Sequence, residues 1–96
     1  LLSHAGHAYH ARSEDELRGM AERERDDMAA LTAAARGAGL PILEVSAGAT
    51  PPARYSLAVA PGTFTEFRPG NYVYLDRTMV GLGAGTRADC ALTVLA

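Results

Sequence analysis

Two short segments of this 96-residue chain carry side chains suited to a planar, phosphorylated molecule. The first, residues 3–9 (SHAGHAY), gathers three ring side chains around a glycine. The second, residues 65–72 (TEFRPGNY), follows a strand-like run with the cation Arg68 and the backbone N–H groups of Gly70 and Asn71. Guanidinium and backbone N–H groups bind phosphate, and ring side chains pack against aromatic ligands. The two segments therefore predict a pocket for a ligand that is both planar and phosphorylated.

A third segment, residues 46–52 (SAGATPP), is predicted to be a loop of small residues that follows a strand over 42–45. In parallel α/β sheets the loops at the carboxyl ends of the strands meet at one edge and build the site. Any one such loop could simply make a turn. Three of them after successive strands favour a shared site at that edge.

The spacing of His4, His7 and His10 invites a metal site, because on a helix three such imidazoles would share one face. Gly6 and the lack of a capping residue argue against a helix there, and no cysteine or carboxylate lies nearby in sequence to complete the set. We therefore expect His4 to orient a ligand ring rather than to bind a metal. Cys90 is predicted to lie in a strand with no activating base beside it, which argues against a nucleophilic role.

Composition and charge exclude several classes of partner. The chain has nine basic residues, all arginine, and eleven acidic ones, so its formal net charge of −2 predicts no nucleic-acid footprint. No apolar run approaches the roughly 20 residues that a membrane-spanning helix needs. A single cysteine allows no internal disulfide and is typical of a cytoplasmic protein. We expect a small-molecule substrate as the partner.

One long helix is the clearest predicted element. Ser13 and Glu16 form a capping-box pattern at its start, and Gly37 and Gly39 followed by Pro41 end it. Apolar side chains recur at helical spacing and predict the buried face. These residues are Leu17, Met20, Ala21, Met28, Leu31 and Ala35.

The remaining elements complete an alternating pattern. Strands are predicted over 1–4, 42–45, 64–67 and 88–96, with a weak helix within 53–61 and a short helix within 71–83. This order indicates an α/β fold with parallel strands joined by long crossovers. Because the chain opens and closes on strand-like runs, we expect it to be an internal piece of a longer protein.

The motifs at residues 3–13, 45–51, 65–76 and 89–92 occur in an order that resembles the D-threonine aldolase and D-serine dehydratase family. That family implies a pyridoxal-phosphate enzyme with the alanine-racemase type of fold, a TIM-like barrel followed by a β-domain. The resemblance implies that residues 1–85 form roughly the last third of the barrel. Residues 86–96 would then begin the β-domain with its first strand.

The resemblance also implies roles for individual residues. His4, Tyr9 and Arg68 match positions near the pyridine ring, and either Tyr9 or Arg68 could contact its nitrogen. The remaining implied cofactor-binding residues surround the phosphate or adjoin it. They are Ser46, Gly48, Thr50, Gly70, Asn71 and Tyr72.

The chain also departs from the family pattern. It contains no lysine, so the family's Schiff-base residue is absent, and Ala49 stands where a serine is commoner. The family's ligands for a divalent metal (Mn, Mg or Zn) would lie beyond Ala96. The resemblance thus implies a parent lyase, either aldolase or dehydratase and either monomer or homodimer, of which this chain alone is inactive. A non-catalytic pyridoxal-phosphate-binding barrel protein and a degenerate structural fragment are the alternatives.

Overall fold

The computed structural model describes residues 1–59 and 62–95, and within them it contains one parallel sheet. The strands β1, β2 and β3 lie side by side in chain order. They span Leu2–His4, Ser46–Gly48 and Glu66–Arg68. The helices α1, α2 and α3 span Glu14–Gly37, Thr50–Val59 and Arg77–Gly81. Short 3₁₀ helices cover Gly6–His10, Asn71–Val73 and Arg87–Asp89. The predicted α/β fold with parallel strands is confirmed.

Helix α1 begins and ends where the sequence predicts. The Ser13 hydroxyl accepts a hydrogen bond from the backbone N–H of Glu16 at 3.1 Å, and the Glu16 carboxylate accepts one from the N–H of Arg12 at 2.7 Å. At the other end Gly39 adopts a φ of +82°, a conformation that glycine reaches without a side-chain clash. Local capping chemistry therefore sets both ends of this helix.

The buried face of α1 differs from the predicted stripe at three positions. Leu17, Ala21 and Met28 are buried as expected, but Leu31 is 52% exposed. Thr32 and Glu24 are buried in its place. Each of them has a hydrogen-bond partner, because the Thr32 hydroxyl donates to the Met28 carbonyl at 2.7 Å and a Glu24 oxygen accepts from the Ser3 hydroxyl at 2.5 Å. A hydroxyl or carboxylate with a partner can occupy a helix face that sequence patterns reserve for apolar residues.

The second strand lies later in the chain than predicted, and the expected loop at Ser46–Gly48 is wrong. The run before it, residues 42–45, is irregular, with Leu43 83% exposed. The predicted strand 42–45 is therefore wrong as well, although Val45 already exchanges hydrogen bonds with Thr65. The chain is paired with a strand on each side only from Ser46 onward. Ser46 is in register with Leu2 on one side and with Glu66 on the other. Small residues suit this central strand because long side chains from its neighbours lie across it.

The second half of the chain forms less regular structure than predicted. The expected helix within 71–83 is divided between the Asn71–Val73 turn and α3, and Asp76 caps α3 by accepting from the N–H of Met79 at 2.9 Å. The expected strand over 88–96 is wrong for residues 88–95, and Ala96 lies outside the described residues. A 3₁₀ turn occupies Arg87–Asp89, and Val94 beyond it is 93% exposed. An apolar run forms a strand only where another strand can pair with it.

The principal core lies between α1, the Gly6–His10 turn and α2. It consists of Ala5, Ala8, Leu17, Ala21 and Tyr55, with Ala11, Met20 and Leu82 packed against it. The weak helix predicted within 53–61 is the longer α2 over its described part, while residues 60 and 61 lie outside the description. This core joins α1 and α2 to the turn that directly follows β1.

Candidate functional site

The carboxyl ends of the three strands bring His4, Gly48 and Arg68 into one row. His4 is in register with Gly48, and Gly48 with Arg68. Because side chains alternate along a strand, residues two positions earlier share this face. We call it the open face of the sheet. It carries Leu2, His4, Ser46, Gly48, Glu66 and Arg68.

Gly48 allows the two flanking side chains to lie over the central strand. A Cβ atom at this position would be 2.6 Å from His4 Nδ1 and 3.4 Å from Arg68 Nη2. The first distance is shorter than any real contact, so an alanine would displace the imidazole. The absence of a side chain at Gly48 therefore lets an imidazole and a guanidinium converge over a strand end.

Arg68 is held in place by hydrogen bonds to both other strands. Its Nε donates to the Ser46 hydroxyl at 2.7 Å, and its Nη2 donates to the Ser3 carbonyl at 2.8 Å. The Ser46 hydroxyl in turn donates to the Glu66 carboxylate. A side chain from an edge strand thus spans the sheet, and its guanidinium stays beside His4.

The turn from β2 into α2 combines a strained residue with an unpaired hydroxyl. Ala49 has a φ of +80°, which costs a residue with a Cβ about 1–2 kcal/mol. Thr50 begins α2 and is only 9% exposed, and its Oγ1 has no hydrogen-bond partner among the described residues. Pro51 and Pro52 supply no N–H in the first turn, where helices tolerate proline. The hydroxyl at the helix N-terminus is the group that this turn leaves available to a ligand.

The segment after β3 presents the predicted backbone donors. Gly70 precedes the Asn71–Val73 turn, and the first N–H groups of any helical turn have no partner within it. The Asn71 side chain is already used, because its Nδ2 donates to Asp76 Oδ2 at 3.0 Å. The Met79 N–H, and then Asn71, lower the pKa of the Asp76 carboxyl. Any contribution of Asn71 to an anion would come from its backbone, while the Tyr72 ring is 60% exposed.

The histidine segment folds differently from the prediction. The sequence argues against a helix at His4, His7 and His10, yet Gly6–His10 forms a 3₁₀ helix, whose tighter turn needs no capping side chain. Tyr9 is half-buried on this turn, and His7 is exposed. Within residues 1–59 and 62–95 no group of three or more histidine, cysteine or acidic side chains is placed to hold a metal ion. The same part of the chain contains no helix that is both long and apolar enough to cross a membrane.

Sequence reasoning brought His4, Gly48 and Arg68 to one edge but missed the groups that support them. Ser46 was assigned to a phosphate loop, whereas its hydroxyl lies on the open face between Glu66 and Arg68. The signal was the spacing of two, Ser46 with Gly48 and Glu66 with Arg68, which marks one face of paired strands. The contact of Ser3 with Glu24 had no sequence signal, because 21 residues separate the two.

Comparison with known proteins identifies the relatives of this chain. It is 40% identical over all 96 residues to D-threo-3-hydroxyaspartate dehydratase of Delftia sp. (strain HT23), and it spans 25% of that protein's length. No protein-family profile matches the chain.

Solved structures give the same result. The structure matches a variant of D-threo-3-hydroxyaspartate dehydratase in the metal-free form with a TM-score of 0.81 and 38% identity, over 94% of this chain and 23% of that one. It matches an alanine-racemase-like protein from Idiomarina loihiensis with a TM-score of 0.84 and 27% identity, over 95% of this chain and 24% of that one. The resemblance found in the motifs is confirmed. The chain is homologous to a segment, about a quarter in length, of D-threo-3-hydroxyaspartate dehydratase and of alanine-racemase-like TIM-barrel proteins.

Proposed function

We propose that this chain is part of a pyridoxal-phosphate-dependent lyase that removes water from a D-3-hydroxy amino acid. The 40% identity to D-threo-3-hydroxyaspartate dehydratase along all 96 residues carries the proposal. The relative's name favours dehydration over the retro-aldol cleavage that the sequence left open.

Two features of the structure are compatible with the cofactor. Gly48 lets the His4 imidazole and the Arg68 guanidinium lie over the strand end, where a Cβ would meet both. The buried Thr50 Oγ1 lacks a described partner at the start of α2, where a helix N-terminus favours an anion. A ring and a guanidinium at the strand ends, with an unpaired hydroxyl two residues after Gly48, suit a planar ring that carries a phosphate.

The proposed roles of the residues follow their positions. His4, Tyr9 and Arg68 would lie at the ring, and Gly48 would let His4 and Arg68 approach each other there. Thr50 and the N–H groups of Gly70 and Asn71 would bind the phosphate, with Tyr72 at the rim and Ser46 holding Arg68. When bound, pyridoxal phosphate supplies an electron sink that makes the substrate Cα–H acidic. The Arg68 guanidinium, held by Ser46 and Ser3, would orient the cofactor ring toward the substrate.

The Schiff-base lysine and a divalent metal (Mn, Mg or Zn) would come from parts of the longer protein outside these 96 residues. The chain contains no lysine, so we expect the isolated chain to be inactive with added pyridoxal phosphate and metal. Turnover by the isolated 96 residues would contradict this expectation. Cys90 is a free cysteine, and we continue to predict a cytoplasmic location for the longer protein.

The products decide between the candidate reactions. The longer protein, purified with pyridoxal phosphate and each metal in turn, should convert D-threo-3-hydroxyaspartate to oxaloacetate and ammonia, because loss of water leaves an enamine that hydrolyses. Retro-aldol cleavage of the same substrate would give glycine and glyoxylate instead. Glycine as the product would replace dehydratase by aldolase, and bound cofactor without turnover of any D-3-hydroxy amino acid would favour a non-catalytic binding protein.

A further inference from the structure

The Arg68 side chain is unusually constrained for a partly exposed arginine on an edge strand. Its side chain is 36% exposed, yet its donors bond to Ser46 on β2 and to Ser3 on β1. Arginine has several rotatable bonds, and fixing them costs conformational entropy that two hydrogen bonds must offset. Something must therefore keep the acceptor oxygens turned toward the guanidinium.

Ser46 has one hydroxyl hydrogen, and its neighbours decide where that hydrogen points. Glu66 carries a carboxylate, which can only accept, and the Ser46 hydroxyl donates to it. The oxygen lone pairs are then free to accept from Arg68 Nε at 2.7 Å. Without the carboxylate the hydroxyl could rotate and turn its hydrogen toward other acceptors.

The direct attraction between Glu66 and Arg68 is a smaller effect. Their closest charged atoms, Glu66 Oε2 and Arg68 Nε, are 4.0 Å apart, and the Glu66 side chain is 55% exposed. Exposed ion pairs of this kind contribute little. The influence of Glu66 on Arg68 must then act mainly through the Ser46 hydroxyl.

We propose that Glu66 is a positioning residue, which orients the Ser46 hydroxyl so that it holds the Arg68 guanidinium beside His4 over Gly48. The proposal rests on the proposed function for its consequence, cofactor binding, and on the hydrogen-bond geometry for its mechanism. The strand register supports it, since Ser46 is paired with Glu66 and Gly48 with Arg68 on the same face.

The test uses the longer protein with Glu66→Ala, Ser46→Ala and the double variant. Glu44→Ala is the matched control, because it removes the same side chain from an exposed residue that precedes β2. Glu66→Ala removes the acceptor of the Ser46 hydroxyl, and we expect the Kd for pyridoxal phosphate to rise about threefold to tenfold, the size of one net hydrogen bond. The double variant should bind about as tightly as Ser46→Ala, because the direct attraction between Glu66 and Arg68 is small.

A second measurement does not need the cofactor. In apoprotein labelled with ¹⁵N-arginine, the Arg68 Nε proton, identified by its loss in Arg68→Lys, should exchange with water several times faster in Glu66→Ala than in Glu44→Ala. If the wild-type protein binds no pyridoxal phosphate, the proposed function fails, and this exchange rate alone decides the positioning role. Equal exchange in the two variants, or additive losses of affinity in the double variant, would overturn the proposal.

Discussion

Both faces of the parallel sheet carry hydrogen-bonded polar side chains, but these side chains have different surroundings on the two faces. The open face carries a connected set of polar side chains, in which Glu66, Ser46 and Arg68 bond to one another. The opposite face, which we call the helix face, carries Ser3, Ala47 and Phe67, and Ser3 bonds to Glu24 of α1. On the helix face a polar contact is a minor part of a packed layer. No described element covers the open face. The hydrogen bonds among Glu66, Ser46 and Arg68 are therefore what holds its side chains in position.

This difference teaches where substitutions should act. A change beneath the helix face removes packing and should lower stability, with little direct effect on a ligand. A change on the open face should disturb the positions of His4 and Arg68 and therefore weaken binding. The ratio of lost stability to lost affinity separates the two faces experimentally.

The largest loss of stability is expected from Leu17→Ala in the core between α1 and α2, away from the open face. Leu17 is 1% exposed within the core cluster, and truncating such a leucine typically costs about 3 kcal/mol. Denaturant unfolding of the longer protein measures the loss. The Kd for pyridoxal phosphate, measured where the variant is still folded, should change less than threefold. A large loss of affinity in the folded variant would mean that the two faces are not independent.

Gly48→Ala should lower both the stability of the protein and its affinity for pyridoxal phosphate, and the affinity should fall more. The new methyl group would overlap His4 Nδ1, and overpacking of this kind costs about 1–3 kcal/mol, which corresponds to roughly a tenfold to hundredfold rise in Kd. Gly81→Ala is the matched control, because nothing lies within 4 Å of a Cβ there. Cofactor titration of both variants checks the prediction. Equal Kd values would show that the His4 position is unimportant for binding.

Ser3→Ala tests the polar contact of the helix face. It would leave both oxygens of the buried Glu24 carboxylate without a described partner, since Oε2 already lacks one. An unpaired buried acceptor costs about 1–3 kcal/mol, so we expect a loss of stability near the middle of that range. The pair Ser3→Ala with Glu24→Leu should recover part of the loss, as thermal unfolding would show. A loss from the double variant equal to the sum of the single losses would argue that the contact contributes nothing.

The smallest effect concerns Tyr55, which joins the helices away from both faces. Its hydroxyl donates to Glu14 at 2.9 Å, and burial, followed by this hydrogen bond, raises its pKa above the usual 10.0. A raised pKa means that the stabilisation is complete below pH 10 and is lost as the pH rises through the folded-state pKa. Tyr55→Phe should cost about 1 kcal/mol at pH 7 and flatten the alkaline decline in stability. An unchanged alkaline decline, measured by urea unfolding from pH 8 to 11, would assign it to other groups.

Local chemistry made part of the fold predictable. Ser13 caps α1 and Gly39 ends it, because both act through backbone groups a few residues away. The prediction failed at β2, where Ser46, Ala47 and Gly48 have loop-like composition but form the central strand. Strand formation there depends on neighbours about 20 and 45 residues away, and no local pattern records them.

The candidate site shows the same division. The sequence alone determined the residue types available, namely His4 and Arg68 at the ends of predicted strands and Gly48 in the predicted loop after another, and it established that no lysine is present. Only the tertiary structure decided that Gly48 makes room for its two neighbours and that Glu66 reaches Arg68 through Ser46. Capping and turns are fixed by contacts near in sequence, whereas the alignment of side chains across a sheet depends on the register of distant strands. That register pairs Ser46 with Leu2 and with Glu66, and no pattern within a single strand records it.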